Sequence, residues 1–124
     1  MDTISVSIPA SPEYLKVVRL IVSGLASRLR FTIDDIEDLK IAVDELSAYL
    51  TGAQGRDGSL QIGFQIYDDR IEISGAGHFS AGTKVRTDLT EMSKMILDTV
   101  VDSATLHQTD GVPSFTLTKV TKRA

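Results

Sequence analysis

Between Leu15 and Leu50 the apolar residues recur every three or four positions; between Leu60 and Ile73 they recur every second one. A period near 3.6 buries one face of a helix, and a period of two buries one face of a strand. The chain must therefore stack amphipathic helices on a half-buried sheet, since neither kind of apolar face can stay in water. The first stripe is Leu15, Val18, Val22, Leu25 and Leu29; the second is Ile36, Leu39, Val43, Leu46 and Leu50. Ser11-Pro12-Glu13 suits the start of the first helix, which is expected to run to about Leu29. Gly24 inside it costs about 1 kcal/mol against Ala, which suggests close packing at that point. Thr32 is the expected cap of the second helix. Asp34, Asp35, Glu37 and Asp38 near its start suit the helix dipole, and Gly52 is its expected stop.

Strands are expected at Thr3–Ile8, Leu60–Tyr67 and Arg70–Ser74, the last two joined at Asp68-Asp69. The run from Gly75 to Gly82 reads as a loop. A third helix is expected over about Asp88–Val101. Two final strands, near Ala104–Gln108 and Ser114–Lys119, flank the turn Thr109-Asp110-Gly111. The order β-α-α-β-β-α-β-β predicts an α+β, two-layer α/β sandwich, with helices on one face of a mixed, mostly antiparallel sheet. Lys119–Ala124 reads as a short basic, solvated tail.

A chain of 124 residues fits one domain, taken as 1–124, and can bury a core without staples. It contains no cysteine, which excludes disulfides, thiolate catalysis and thiolate-bound metals. The net charge of −4 argues against general nucleic-acid binding, which needs a basic surface. No apolar run reaches the roughly 18 residues of a membrane span, and the first residues do not read as a signal peptide. The expectation is a cytoplasmic protein with neither membrane nor nucleic-acid partner. His78 and His107 lack any metal-ligand spacing, so no metal site is expected.

Three features carry the candidate chemistry. The second helix ends in acids, Asp44 and Glu45, which serve either as a solvated face or, for Glu45, as a group pointing into a site. Gly75-Ala76-Gly77 could bring backbone amides to a phosphate or simply connect two elements; no Gly-Lys-Ser/Thr follows it. The two histidines read as ordinary surface or core residues.

The run Ile8-Pro9-Ala10-Ser11-Pro12-Glu13-Tyr14, with Val18-Arg19-Leu20, Ser23-Gly24, Ala26-Ser27-Arg28 and Asp35 to Val43 through Glu45, resembles the bacterial anti-sigma-factor serine kinases. These share an ATP-binding superfamily with histidine kinases, gyrase B and MutL. The resemblance is strongest over residues 4–47 and colinear beyond, and it implies the histidine-kinase-like sandwich already read from the pattern. It matches Glu45 to a catalytic Glu. Tyr49 stands where the family has a Mg²⁺-holding Asn. Ser74-Gly75-Ala76-Gly77-His78 stands where an Asp precedes glycine to read adenine. The glycine-rich lid before the third helix has no counterpart in Asp88–Ser93. Gly75, Gly77 and Tyr49 are thus altered ATP-site positions. The resemblance also matches Arg19 to a partner-gripping Arg, flanked by Glu13, Tyr14 and Lys16.

These departures lead to the expectation of an anti-sigma-factor-like regulator with a degenerate ATP site and no cofactor. It would hold a sigma factor or an anti-sigma antagonist by sequestration, as a homodimer or as a heterodimer with a paralogue. The alternative is an active serine/threonine kinase that binds ATP and Mg²⁺ and phosphorylates an anti-sigma antagonist, with Glu45 as base.

Overall fold

The computed structural model describes residues 1–121. Its elements are β1 (Asp2–Pro9), α1 (Leu15–Ala26), α2 (Ile33–Thr51), β2 (Gly58–Ile66), β3 (Arg70–Phe79), α3 (Glu91–Val100), β4 (Ser103–Thr109) and β5 (Val112–Val120). The strands form one five-stranded sheet ordered β1-β2-β3-β5-β4. Every neighbouring pair is antiparallel, so the sheet is not mixed. The topology explains this: a single helix returns the chain from β3 to β4 in the same direction, but the β4–β5 hairpin inserts β5 between them.

The expected alternation sorts the two faces. Leu60, Ile62 and Phe64 of β2, Ile71 and Ile73 of β3, and Phe115 and Leu117 of β5 are buried. They meet Val18, Val22 and Ala26 of α1, Leu39, Val43, Leu46 and Leu50 of α2, and Leu97 of α3, all of them in the same apolar core. Each such side chain contributes about 1.5–3 kcal/mol by leaving water. Polar residues such as Gln61, Gln65, Ser74 and Thr116 take the opposite face.

The helices begin and end where local hydrogen bonds permit. Thr32 closes a capping box on α2: its Oγ1 accepts the Asp35 amide at 3.1 Å, and its own amide donates to Asp35 Oδ2 at 3.0 Å. The start of α1 differs from expectation. Ser11 makes no side-chain cap, Pro12–Tyr14 forms a 3-10 turn, and the α-helix starts at Leu15. It stops at Ala26 because the Arg28 and Leu29 amides tighten onto the Leu25 and Ala26 carbonyls, three residues back. Gly24 is exposed, and a Cβ there would meet nothing within 4 Å, so close packing is not its reason. The third helix starts three residues later than expected, capped by Thr90, whose Oγ1 accepts the Ser93 amide at 3.0 Å.

Two further expectations change. The stretch from Gly75 continues β3 to Phe79 rather than forming a loop, with Gly75 opposite Ile62 and Gly77 opposite Leu60. Lys119 is not tail: it lies in β5, 8% exposed, with Nζ donating to the Val100 carbonyl at 2.7 Å and 3.9 Å from both Asp35 and Asp38. The expected tail residues from Lys122 onward lie outside the described residues.

Candidate functional site

Asp44 and Glu45 are adjacent on α2, so their side chains leave the helix about 100° apart. One reaches toward α1 and the other toward α3. Glu45 and Tyr49, four residues apart, share the face that meets the start of α3. Ser93, one turn into α3 and 4% exposed, donates its hydroxyl to Glu45 Oε2 at 2.6 Å. The Tyr49 hydroxyl lies 2.7 Å from Ser93 Oγ and accepts the Thr90 amide at 3.0 Å. Thr90, Ser93, Glu45 and Tyr49 thus form one continuous polar network across the α2–α3 seam. Burial raises the Tyr49 pKa, but hydrogen bonds with Ser93 and Thr90, aided by the charge of Arg86, outweigh it and bring the phenol below its ordinary value.

At the other seam, Arg19 Nη1 lies 3.5 Å from Asp44 Oδ2, and both side chains are about two-fifths exposed. Asp44 Oδ1 is buried with no hydrogen-bond partner. Burial raises the Asp44 pKa, opposed by Arg19 and Lys40. Glu13, Tyr14 and Lys16 are exposed on the turns leading to Arg19, as are Val17 and Leu20; Leu20 is 73% exposed. The structure leaves Glu13, Tyr14 and Lys16 exposed and Arg19 half-buried, with the apolar Val17 and Leu20 exposed among them.

Gly75 and Gly77 do not join Glu45 and Tyr49 by any hydrogen bond among the described residues. They lie in β3, where an added Cβ would collide with the ring of Phe115 at Gly75 and of Phe79 at Gly77. Aromatic carbon already occupies the space beside them. His78 and His107 sit in β3 and β4, and among the described residues no group of three or more His, Asp or Glu could hold a metal ion.

Glu45 Oε2 accepts from Ser93, Tyr49 sets a phenol beside it, and the rings of Phe115 and Phe79 lie where a Cβ on Gly75 or Gly77 would go. The family resemblance pointed to Glu45 and Tyr49, but Ser93 and Thr90 were missed. The signal was present as Thr90-x-x-Ser93, the spacing of a hydroxyl cap and its third helical residue.

No protein-family model matches the chain. Its fold matches a crystal structure of the RsbU and RsbW domains of a Mycobacterium tuberculosis protein, with a TM-score of 0.69, over 100% of this chain and 34% of that one. At 16% identity, this likeness speaks for the fold. The fold is thus an α+β sandwich of the histidine-kinase-like kind. Among curated proteins, the serine-protein kinase RsbW of Halalkalibacterium halodurans is 34% identical over 90% of this chain and 79% of its own length. Those of Bacillus pumilus and Bacillus subtilis are 44% and 41% identical over 59% and 58% of this chain. These two matches span about half of each relative, 48% and 47%. The chain belongs to the RsbW serine-protein kinase family.

Proposed function

We propose that this chain is a sigma-factor regulator whose activity is phosphorylation of a serine on a protein antagonist. The observation that carries this reading is the extended relationship to a protein named serine-protein kinase RsbW, 34% identical over 90% of the chain. In this reading residues 1–124 are one domain that works in the cytoplasm. Consistent with that location, no helix among the described residues is long and apolar enough to cross a membrane. Glu45 is the residue proposed for the base. Its Oε2 accepts from Ser93 Oγ, and the carboxylate keeps further lone pairs with which to take a proton.

One observation favours a second reading, contact without phosphorylation: the Tyr49–Ser93–Glu45 network closes the site from within. In that reading the α1 face around Arg19, with Glu13, Tyr14, Lys16 and exposed Leu20, holds the sigma factor or antagonist by itself. An arginine fork beside exposed apolar residues is a common interface anchor.

Calorimetric titration with Mg-ATP, followed by a phosphoserine assay on a candidate antagonist, tests the kinase reading. Saturable binding and phosphate transfer support it. Neither binding nor transfer overturns it in favour of the second. Under either reading Arg19→Glu should abolish binding of the protein partner with the fold intact; unchanged affinity would place the contact elsewhere.

A further inference from the structure

Three large apolar side chains stand exposed where α2 and α3 diverge: Ile41 at 45%, Met92 at 72% and Met95 at 69%. With Ile96, Thr99 and Val100 they line a groove of about 680 Å³. Long apolar side chains in solvent, adjacent and unpartnered, mark a contact surface. Methionine in particular adapts its shape to an incoming helix.

The groove leads into a second pocket of about 360 Å³, and Thr99 and Val100 line both. Among the described residues that pocket holds Asp38, Asp98 and Asp102 with Lys119 as the one cation. Lys119 is already engaged by the Val100 carbonyl, Asp35 and Asp38. Asp102 spends one oxygen on the Val120 amide, and Asp98 has no ion-pair partner among the described residues. The last turn of α3 carries no basic residue, so the negative end of that helix adds to the field.

We propose that the α2–α3 groove docks an amphipathic helix of a protein partner, its apolar stripe lying on Ile41, Met92 and Met95 and a lysine or arginine entering the Asp38–Asp98–Asp102 pocket. The apolar length sets the mode, a helix laid in a groove, and the acidic end sets direction and charge. The proposal does not rest on the kinase reading: no groove residue makes a hydrogen bond of the Glu45–Tyr49 network, which it adjoins at Ser93.

Methionine supplies the probe. The chain has three, Met1, Met92 and Met95, so methyl-labelled methionine gives three NMR signals, two of them in the groove. The protein is titrated with a leucine/lysine peptide patterned for a helix, with its leucine/glutamate counterpart, and with a scrambled leucine/lysine peptide. The expected result is saturable movement of the Met92 and Met95 signals with the first peptide alone. Met95→Glu and Asp98→Lys, both at exposed positions, should each weaken it about tenfold or more. Three results would overturn the proposal: no movement, equal movement with the scrambled or acidic peptide, or binding unaffected by both substitutions. Movement that grows with protein concentration in the absence of peptide would also overturn it, and would identify a second copy as the occupant.

Discussion

Helix α2 shows two neighbours two different kinds of polar seam. Against α1, Arg19 and Asp44 meet at 3.5 Å with each side chain about two-fifths in water. Against α3, Glu45, Tyr49, Thr90 and Ser93 make hydrogen bonds of 2.6–3.0 Å around a serine that is 4% exposed. The same helix and adjacent carboxylates thus yield one seam held by an open ion pair and one held by a part-buried hydrogen-bond network centred on a buried serine. Exposed ion pairs contribute little and are readily exchanged for a partner's groups. A hydroxyl–carboxylate bond made by a buried serine holds position, and breaking it leaves the buried partner short of a hydrogen bond. In the proposed reading the α1 seam is the recognition face, and the α3 seam holds the start of α3 against α2 as a latch.

Ser93→Val should have the largest effect, since it removes the buried hydroxyl that links Glu45, Tyr49 and Thr90. The expected loss is about 1–3 kcal/mol, read from denaturant midpoints. Tyr49→Phe orphans only the Thr90 amide and should cost about 1 kcal/mol. A loss there equal to that of Ser93→Val would mean that the phenol, not the serine, organises the seam. Gly24→Ala, on the exposed side of α1, should stabilise by about 0.5–1 kcal/mol, because the added methyl meets nothing and the unfolded chain loses freedom. A destabilised Gly24→Ala would mean that α1 packs more tightly than the open seam allows.

The smallest effect is one of pH. Burial raises the Asp44 pKa, so the folded chain binds a proton more readily there than the unfolded chain does. The cost of its charge is present in full at neutral pH and lifts as pH falls through the folded pKa toward 3.8. Asp44→Asn should therefore match or slightly exceed the parent's stability at neutral pH, and that margin should shrink on acidification. A margin that widens as pH falls would mean that the Arg19 attraction outweighs burial.

Much of this was legible in the sequence. The two helical stripes, the β2–β3 alternation and the Thr32 cap each depend on neighbours within a few residues. What was not legible depends on distant ones. Gly75 and Gly77 carry no pattern of their own, and β3 runs through them because Phe115, on another strand, and Phe79, at the strand's end, fill the space they leave. Lys119 continues the inward alternation of Phe115 and Leu117, but its charge hides that register until Asp35, Asp38 and the Val100 carbonyl are placed around it. At the site, helical spacing put Glu45 and Tyr49 together. The late start of α3 concealed Ser93, which decides what both of them do.

Amide hydrogen exchange at Thr90 tests the latch most directly, because its N–H donates to Tyr49 across the seam. The account predicts slow exchange in the parent chain and markedly faster exchange in Tyr49→Phe and Ser93→Val, with the amides of β2 and β5 unchanged. Fast exchange at Thr90 in the parent, unaltered by either substitution, would contradict it.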